Sequence, residues 1–290
     1  MIRLHLRELT EKYIQSLLLL MALSSIFFLA LIALFIVWAG MPVVAKYGLL
    51  RFILGRHWIP SKGLFGILPM ALGTLWVTLG ALVIGVPMGL ACAIFLAEFA
   101  PRPMAAIFRP TIQLLAGIPS VIYGFLGLTI LVPWIREYLG GPGLSILAGS
   151  IILGVMILPS IISISEDALR AVPKEYQDGA LALGATQWQA IAGVVLPAAR
   201  SGILASVVLG MGRAIGETMA VIMVVGNAAQ IPHSVLDPVR TLTSNIGIEM
   251  AYASGEHRQA LFATGIVLLL TIMVLTAMVR LLAQRGGWGR

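Results

Sequence analysis

Charge is scarce in this chain. Lysine, arginine, aspartate and glutamate make up 11% of the 290 residues, against roughly 25% in soluble domains, while 59% are hydrophobic and the mean hydropathy is +1.00. That excludes a soluble globular domain and leaves a polytopic membrane protein. The single Cys92 sits in an apolar run and can close no disulfide within the chain. His5, His57, His233 and His257 are far apart and lack metal-ligand spacing, so no metal site is expected. No Gly-x-x-x-x-Gly-Lys-Ser/Thr loop occurs, so the chain has no Walker motif for ATP, and it shows neither an internal repeat nor a low-complexity tract. The net charge of +7 is scattered over short loops without interleaved aromatics, and no nucleic-acid partner is expected.

What is present is a series of long apolar runs. About 20 helical residues cross a bilayer, and runs of that order lie at 14–39, 70–97, 111–133, 144–164, 201–226 and 260–283. The first run follows a polar lead with Arg3, Arg7, Glu8, Glu11 and Lys12, and it far exceeds a signal-peptide core of about 7 to 15 residues. It reads as an uncleaved span. The expectation is an all-α membrane protein of six transmembrane helices, one domain over 1–290, with both termini on one side. If that side is the cytoplasm, the inner segments carry Arg3, Arg7, Lys12, Arg102, Arg109, Arg170, Lys174, Arg200, Arg280, Arg285 and Arg290. The outer segments carry Lys46, Arg51, Arg56, Lys62, Arg136, Arg240 and Arg258. Lysine and arginine favour the inside, which gives N-in, C-in.

One inner segment, 165–200, is organised. After Glu166, Asp167 and Arg170, Pro173 opens and Gly184 closes a short helix through Lys174, Glu175 and Asp178. Thr186 and Gln189 form a capping-box pair that starts a second helix, expected to stop at Leu196-Pro197. Two short amphipathic helices meeting at a glycine suit the groove of another protein, or simply the bilayer surface.

The fifth run contains Arg213 and Glu217, four residues apart and so on one face of a continuous helix. At about 1.5 Å per residue Arg213 lies roughly 18 Å from Ser201, near the midplane. An ionisable group there costs roughly 2.5 to 3.5 kcal/mol or more, which leaves two readings: an ion pair that holds helices together, or an arginine on an anion path. Gly212-x-x-x-Gly216 is a pattern for close helix approach beside it. The third run is interrupted by Gly117-Ile118-Pro119-Ser120 and continues through Tyr123 and Gly124. A kink there lines a substrate path or shapes packing, and Ser120 and Tyr123 are its candidate path residues. Residues 98–110 read as a short cytoplasmic turn, Tyr47 and Trp58 as interface anchors, and 227–258 as a polar outer loop able to meet a soluble protein.

Asp178-Gly179-Ala180, three residues, Gly184-Ala185, Val194 and Leu196-Pro197 resemble the Glu-Ala-Ala loop of ABC importer permeases, with Asp, Gly and Val where Glu, Ala and Ile are usual. The run 212–221 with Gly226-Asn227 is similar to the signature of the PstC family, permease subunits of bacterial phosphate importers. So are Gly117-Ile118-Pro119-Ser120-Val121-Ile122-Tyr123-Gly124, Trp58-x-Pro60, Phe65-Gly66, Pro69 and Gly73-Thr74-Leu75. The resemblance implies a type I importer permease (MetI-like) fold in the bacterial inner membrane and a non-catalytic subunit that itself binds no cofactor. It implies a PstA-like sister permease, a PstB-like ATPase dimer that holds ATP and Mg2+, a PstS-like periplasmic binding protein, and inorganic phosphate as cargo. Arg213, Glu217, Ser120 and Tyr123 would then line the path. Glu175, Asp178, Gly179, Ala180, Gly184, Ala185, Leu196 and Pro197 would couple to the ATPase. Sulfate or molybdate import, or an ATP-independent carrier, are the alternatives.

Overall fold

The computed structural model describes residues 2–285, with side chains for 11–279 and for Leu281. Arg290 and the side chains of Arg3, Arg7, Glu8, Arg280 and Arg285 lie outside the described residues. Among the described residues, six helices are long and apolar enough to cross a membrane: Glu11–Tyr47, Leu68–Phe99, Ser120–Tyr138, Ile146–Arg170, Gln187–Gly216 and Gly255–Val279.

In chain order, α1 (Ile2–Tyr47) runs into the short α2 (Leu49–Leu54). A two-stranded antiparallel hairpin follows, β1 (Trp58–Ile59) paired with β2 (Leu64–Phe65), a small exception to the all-α expectation. Next come α3 (Leu68–Ile94), α4 (Arg102–Gly117), α5 (Ser120–Leu126), α6 (Val132–Tyr138) and α7 (Ile146–Arg170). The short α8 (Lys174–Ala182) and α9 (Gln187–Ala190) lead into α10 (Leu196–Gly216), and α11 (Met219–Val224), α12 (Leu242–Glu249) and α13 (Gly255–Arg285) complete the chain.

The core lies where α3 and α7 run side by side, around Val77, Ala81, Leu153, Met156, Ile157 and Ile161, with α11 against them through Val221 and Val224. Small residues make the approach possible. A Cβ on Gly80 would lie 2.1 Å from Ser150 Oγ, and one on Gly85 would lie 2.9 Å from the Gly154 carbonyl oxygen. Van der Waals packing of this kind associates helices where lipid supplies no hydrophobic driving force. α10 joins α7 through a buried hydroxyl pair, Ser165 to Ser206 at 2.8 Å.

Four expected boundaries are corrected. The third span is 120–138 and not 111–133, because Pro119 lacks an N–H and holds Ile118 at φ −69°, ψ 127°, so the helix ends at Gly117. What precedes it is not a turn at 98–110 but a separate amphipathic helix, α4. The fifth span is not continuous over 201–226: α10 ends at Gly216 and Glu217 is extended at φ −70°, ψ 129°. Leu196-Pro197 is no stop either. A π turn at Ile191–Val195 widens the helix, and α9 continues through it into α10 without the N–H that Pro197 lacks.

The α3–α7 contact predicts that Gly80→Val lowers thermal stability by roughly 1–3 kcal/mol through overpacking. Gly193→Ala, whose Cβ would meet nothing within 4 Å, should leave it unchanged or slightly raised. Melting of the two purified variants in one detergent checks this, and equal melting temperatures would refute the packing account.

Candidate translocation site and coupling face

The interruption between α10 and α11 separates Arg213 from Glu217. Helix ends leave backbone groups unpaired, and here side chains take them up. The Glu217 carboxylate accepts the Ala220 N–H at 3.2 Å in the first turn of α11, and the Thr243 hydroxyl of α12 donates to the Glu217 carbonyl at 2.9 Å. Glu217 is therefore an end-capping residue outside the helix. It does not pair with Arg213, and the expected shared helix face is absent because the helix stops first.

Arg213, in the last turn of α10, is half-buried, and no carboxylate among the described residues pairs with it. Its Nη1 points to Ser160 Oγ of α7 at 3.5 Å, which leaves most of a five-donor fork uncommitted. Ser160 follows Pro159 within α7 and was not singled out from sequence. Tyr123 is buried, and its hydroxyl donates to the Leu115 carbonyl at 2.8 Å, so it braces the 117–119 break. Its phenol also lies within electrostatic reach of Arg213. Ser120 opens α5, half-buried. A Cβ on Gly212 or Gly216 would meet nothing within 4 Å, so among the described residues the close approach expected there is not made.

On the opposite side of α11 lies a polar hub that the sequence did not announce. Glu249, 8% exposed at its side chain, accepts from Trp58 Nε1 at 2.8 Å and Arg240 Nη1 at 2.7 Å, and it meets His257 Nε2 at 2.7 Å. Arg240 also donates to Asn245 Oδ1 at 3.1 Å and to the Asn227 carbonyl at 2.9 Å, and Asn227 closes α11 at φ 53°. Trp58 is 7% exposed and therefore a buried donor, not an interface anchor, while Tyr47 donates to Glu256 at 2.8 Å. Asn245 and Glu249 face inward, so that part of 227–258 is not free to meet another protein.

At the far end, α8 and α9 meet at Gly184, whose φ of 89° is a left-handed value that favours glycine. The Ala185 and Gly184 N–H groups return to the Ala180 and Leu181 carbonyls, and Thr186 and Gln189 form the reciprocal capping box. Glu175, Asp178 and Gly179 are exposed, Ala180, Ala185 and Leu196 half-buried, and Pro197 exposed. Leu183 is 91% exposed and Trp188 57% exposed, so among the described residues the tip leaves both apolar side chains largely uncovered. Behind it, buried Glu166 accepts from Arg109 of α4 at 2.7 Å and from Arg170 at 2.9 Å, and Arg170 also donates to the Leu96 carbonyl at 2.8 Å. Gln177 donates to Glu98 at 3.0 Å. These contacts fasten α8 and α4 to the core.

Residues 85–286 match the family described as binding-protein-dependent transport system inner membrane component. The chain belongs to this family. Among relatives, the probable ABC transporter permease protein YqgH of Bacillus subtilis is 43% identical over 83% of this chain and 73% of its own length. The phosphate transport system permease protein PstC of Xylella fastidiosa strain 9a5c is 34% identical over 97% and 93%. That of Haemophilus influenzae is 34% identical over 91% and 89%. Of solved structures, the methionine ABC transporter MetNI in inward-facing conformations aligns with TM-score 0.57 at 19% identity, covering 77% of this chain and 95% of that one. A bacterial ABC transporter involved in the import of the acidic polysaccharide alginate aligns with TM-score 0.58 at 18% identity, covering 91% and 95%. The fold is that of an ABC importer permease of the MetI-like type.

The hub at Glu249 ties the hairpin to α12 and, through Arg240, to the end of α11. Glu249→Ala takes the carboxylate from half-buried Arg240, which keeps only the Asn245 and Asn227 oxygens, and leaves buried Trp58 Nε1 without its acceptor, at a cost of roughly 1–3 kcal/mol. The expected result is a large fall in melting temperature with faster hydrogen exchange at 56–68. Unchanged exchange there would show that the hairpin is held by its apolar contacts alone.

Proposed function

We propose that this chain is the permease subunit of an ATP-driven inorganic phosphate importer of the bacterial inner membrane, with both termini in the cytoplasm. In this reading it is non-catalytic and shares the path with a PstA-like sister permease. A PstB-like ATPase dimer, holding ATP and Mg2+, docks on the α8–Gly184–α9 tip, and a PstS-like binding protein delivers phosphate from outside. The observation that carries the reading is Arg213: a half-buried guanidinium one turn before a break in a membrane-spanning helix, with no carboxylate partner among the described residues. A planar fork of donors matches the oxygens of a tetrahedral oxyanion. Relatives named for phosphate transport, alike over most of their length, support phosphate as the cargo.

The mechanism follows from which parts are rigid. The exposed apolar tip at Leu183 and Trp188 is seated by the ATPase, whose closure on ATP moves α8 and α9 together, since Gly184 and the capping box hold them as one piece. α9 runs without a stop into α10, so the movement reaches Arg213 along one helix. Glu217, engaged with the α11 backbone, leaves the Arg213 charge unneutralised for the passing anion. Asp178, Gly179 and Ala180 act at the docking face, and Ser160 and Ser120 offer hydroxyls beside the path.

Uptake of labelled phosphate into proteoliposomes holding the chain with its partner subunits tests this. Uptake is expected to require ATP, to fall at least about tenfold with Arg213→Ala and to recover in part with Arg213→Lys, since charge returns without the fork. Equal uptake by all three proteins would end the pathway role of Arg213. Suppression by sulfate or molybdate would reassign the cargo, and uptake without ATP would make the chain a carrier.

A further inference from the structure

The outer segment 40–68 carries Lys46, Arg51, Arg56 and Lys62 and not one aspartate or glutamate. On the outer side of the membrane this is unusual, because loops facing outward are normally poor in lysine and arginine. Lys46 is accounted for by its ion pair with Glu256. Among the described residues, Arg51, Arg56 and Lys62 have no carboxylate partner.

Arg51 and Arg56 converge, with His57, on a cavity of about 260 Å³ between α2 and the hairpin. Its walls are fixed by backbone bonds: the Ile67 N–H to the Phe52 carbonyl at 3.0 Å, Gly66 to His57 at 2.9 Å and Leu68 to Gly55 at 3.1 Å. Phe52 and Phe65 close it from below as part of the buried outer cluster. The cavity is therefore a preformed concavity whose charged lining is uniformly basic. Beside it, α2 exposes Leu49, Leu50 and Leu54 next to Arg51, an apolar edge that belongs at the level of lipid headgroups.

We propose that this cavity is a binding site for an anionic phosphate group, held by Arg51 and Arg56 with His57 as a further polar contact. Two sources share that chemistry: the phosphodiester of an anionic phospholipid and free inorganic phosphate at the outer face. The site is separate from Arg213 and stands or falls independently of the transport reading.

The test uses the full chain in nanodiscs, as wild type and as Arg51→Gln/Arg56→Gln. Both arginines are exposed, so the double variant should melt like wild type, and Arg51→Lys/Arg56→Lys serves as a second variant that keeps the charge. In the lipid arm, nanodiscs of mixed phosphatidylglycerol and phosphatidylcholine are analysed for lipid retained on the ejected protein by native mass spectrometry. In the solute arm, inorganic phosphate is titrated into phosphatidylcholine nanodiscs while hydrogen exchange is followed at 47–66. The expected result is a loss of about tenfold in one arm for the glutamine variant, with partial recovery in the lysine variant. A response in the lipid arm alone assigns a headgroup site, and one in the solute arm alone assigns a site for free anion. If neither arm separates wild type from the glutamine variant, the cavity is not a phosphate site. Repeating the responsive arm on Arg213→Ala should give the wild-type result, which separates this outcome from failure of the pathway.

Discussion

Inside a bilayer no water is available to a backbone N–H or carbonyl, so a helix can be broken there only if other groups take up what the break releases. The interruption at 217–218 meets that demand with a carboxylate turned back on the next helix, a threonine from α12 and an asparagine at the far end of α11. These commitments explain the geometry around Arg213. Glu217 is spent on the backbone, and the charge that would have neutralised the arginine is no longer available to it. The same logic holds at 117–119, where the Tyr123 hydroxyl takes the Leu115 carbonyl across the gap. Both breaks are thus supported from neighbouring elements, and the segments they separate pack on one another: a Cβ on Gly124 of α5 would lie 2.9 Å from Ala220 Cα of α11.

The spans were legible because a run of apolar residues long enough to cross has few other uses, and the paired short helices were legible because Pro173, Gly184, Thr186 and Gln189 each act on the backbone next to them. The break at 217 was not. No proline marks it, and a hydropathy run does not register where a chain becomes extended when the residues on either side stay apolar. α4 was hidden for a related reason, since its apolar positions merge with those after Pro119. Glu166 with Arg170 is a local pair that spacing can suggest, but Arg109 lies 57 residues from Glu166 and only the fold brings it there. Trp58 was misplaced because an indole near a span end has two good homes, and a carboxylate 191 residues away decided between them.

Among the described residues, the two buried carboxylates, Glu166 and Glu249, lie at opposite ends of the core. At one end Glu166 gathers α4, α7 and the turn after α3 behind the α8–α9 tip. At the other Glu249 gathers the hairpin, α12, α13 and the segment that closes α11. Between them, among the described residues, there are hydroxyl and backbone hydrogen bonds but no ion pair, and the apolar contacts that predominate permit sliding and tilting in a way that directed ionic bonds do not. A movement imposed at one end would therefore be taken up in the middle, around Arg213, rather than at either hub.

The first helix has a different relation to its surroundings. α1 meets α13 near the C-terminal end of α1, where Phe35 stacks edge-on to Phe262 and Gly40 lies against the Ala263 backbone, while among the described residues most of its side chains are exposed. Its apolar run, 14–39, is 26 residues long, about 39 Å of helix, against a hydrocarbon layer of roughly 30 Å. Such a mismatch is relieved by tilting or by thickening the bilayer around it, at a cost of fractions of a kcal/mol per Å. The angle of α1 is thereby set by the lipid as much as by the protein, and membrane thickness becomes a variable that bears directly on the helix packed against α13.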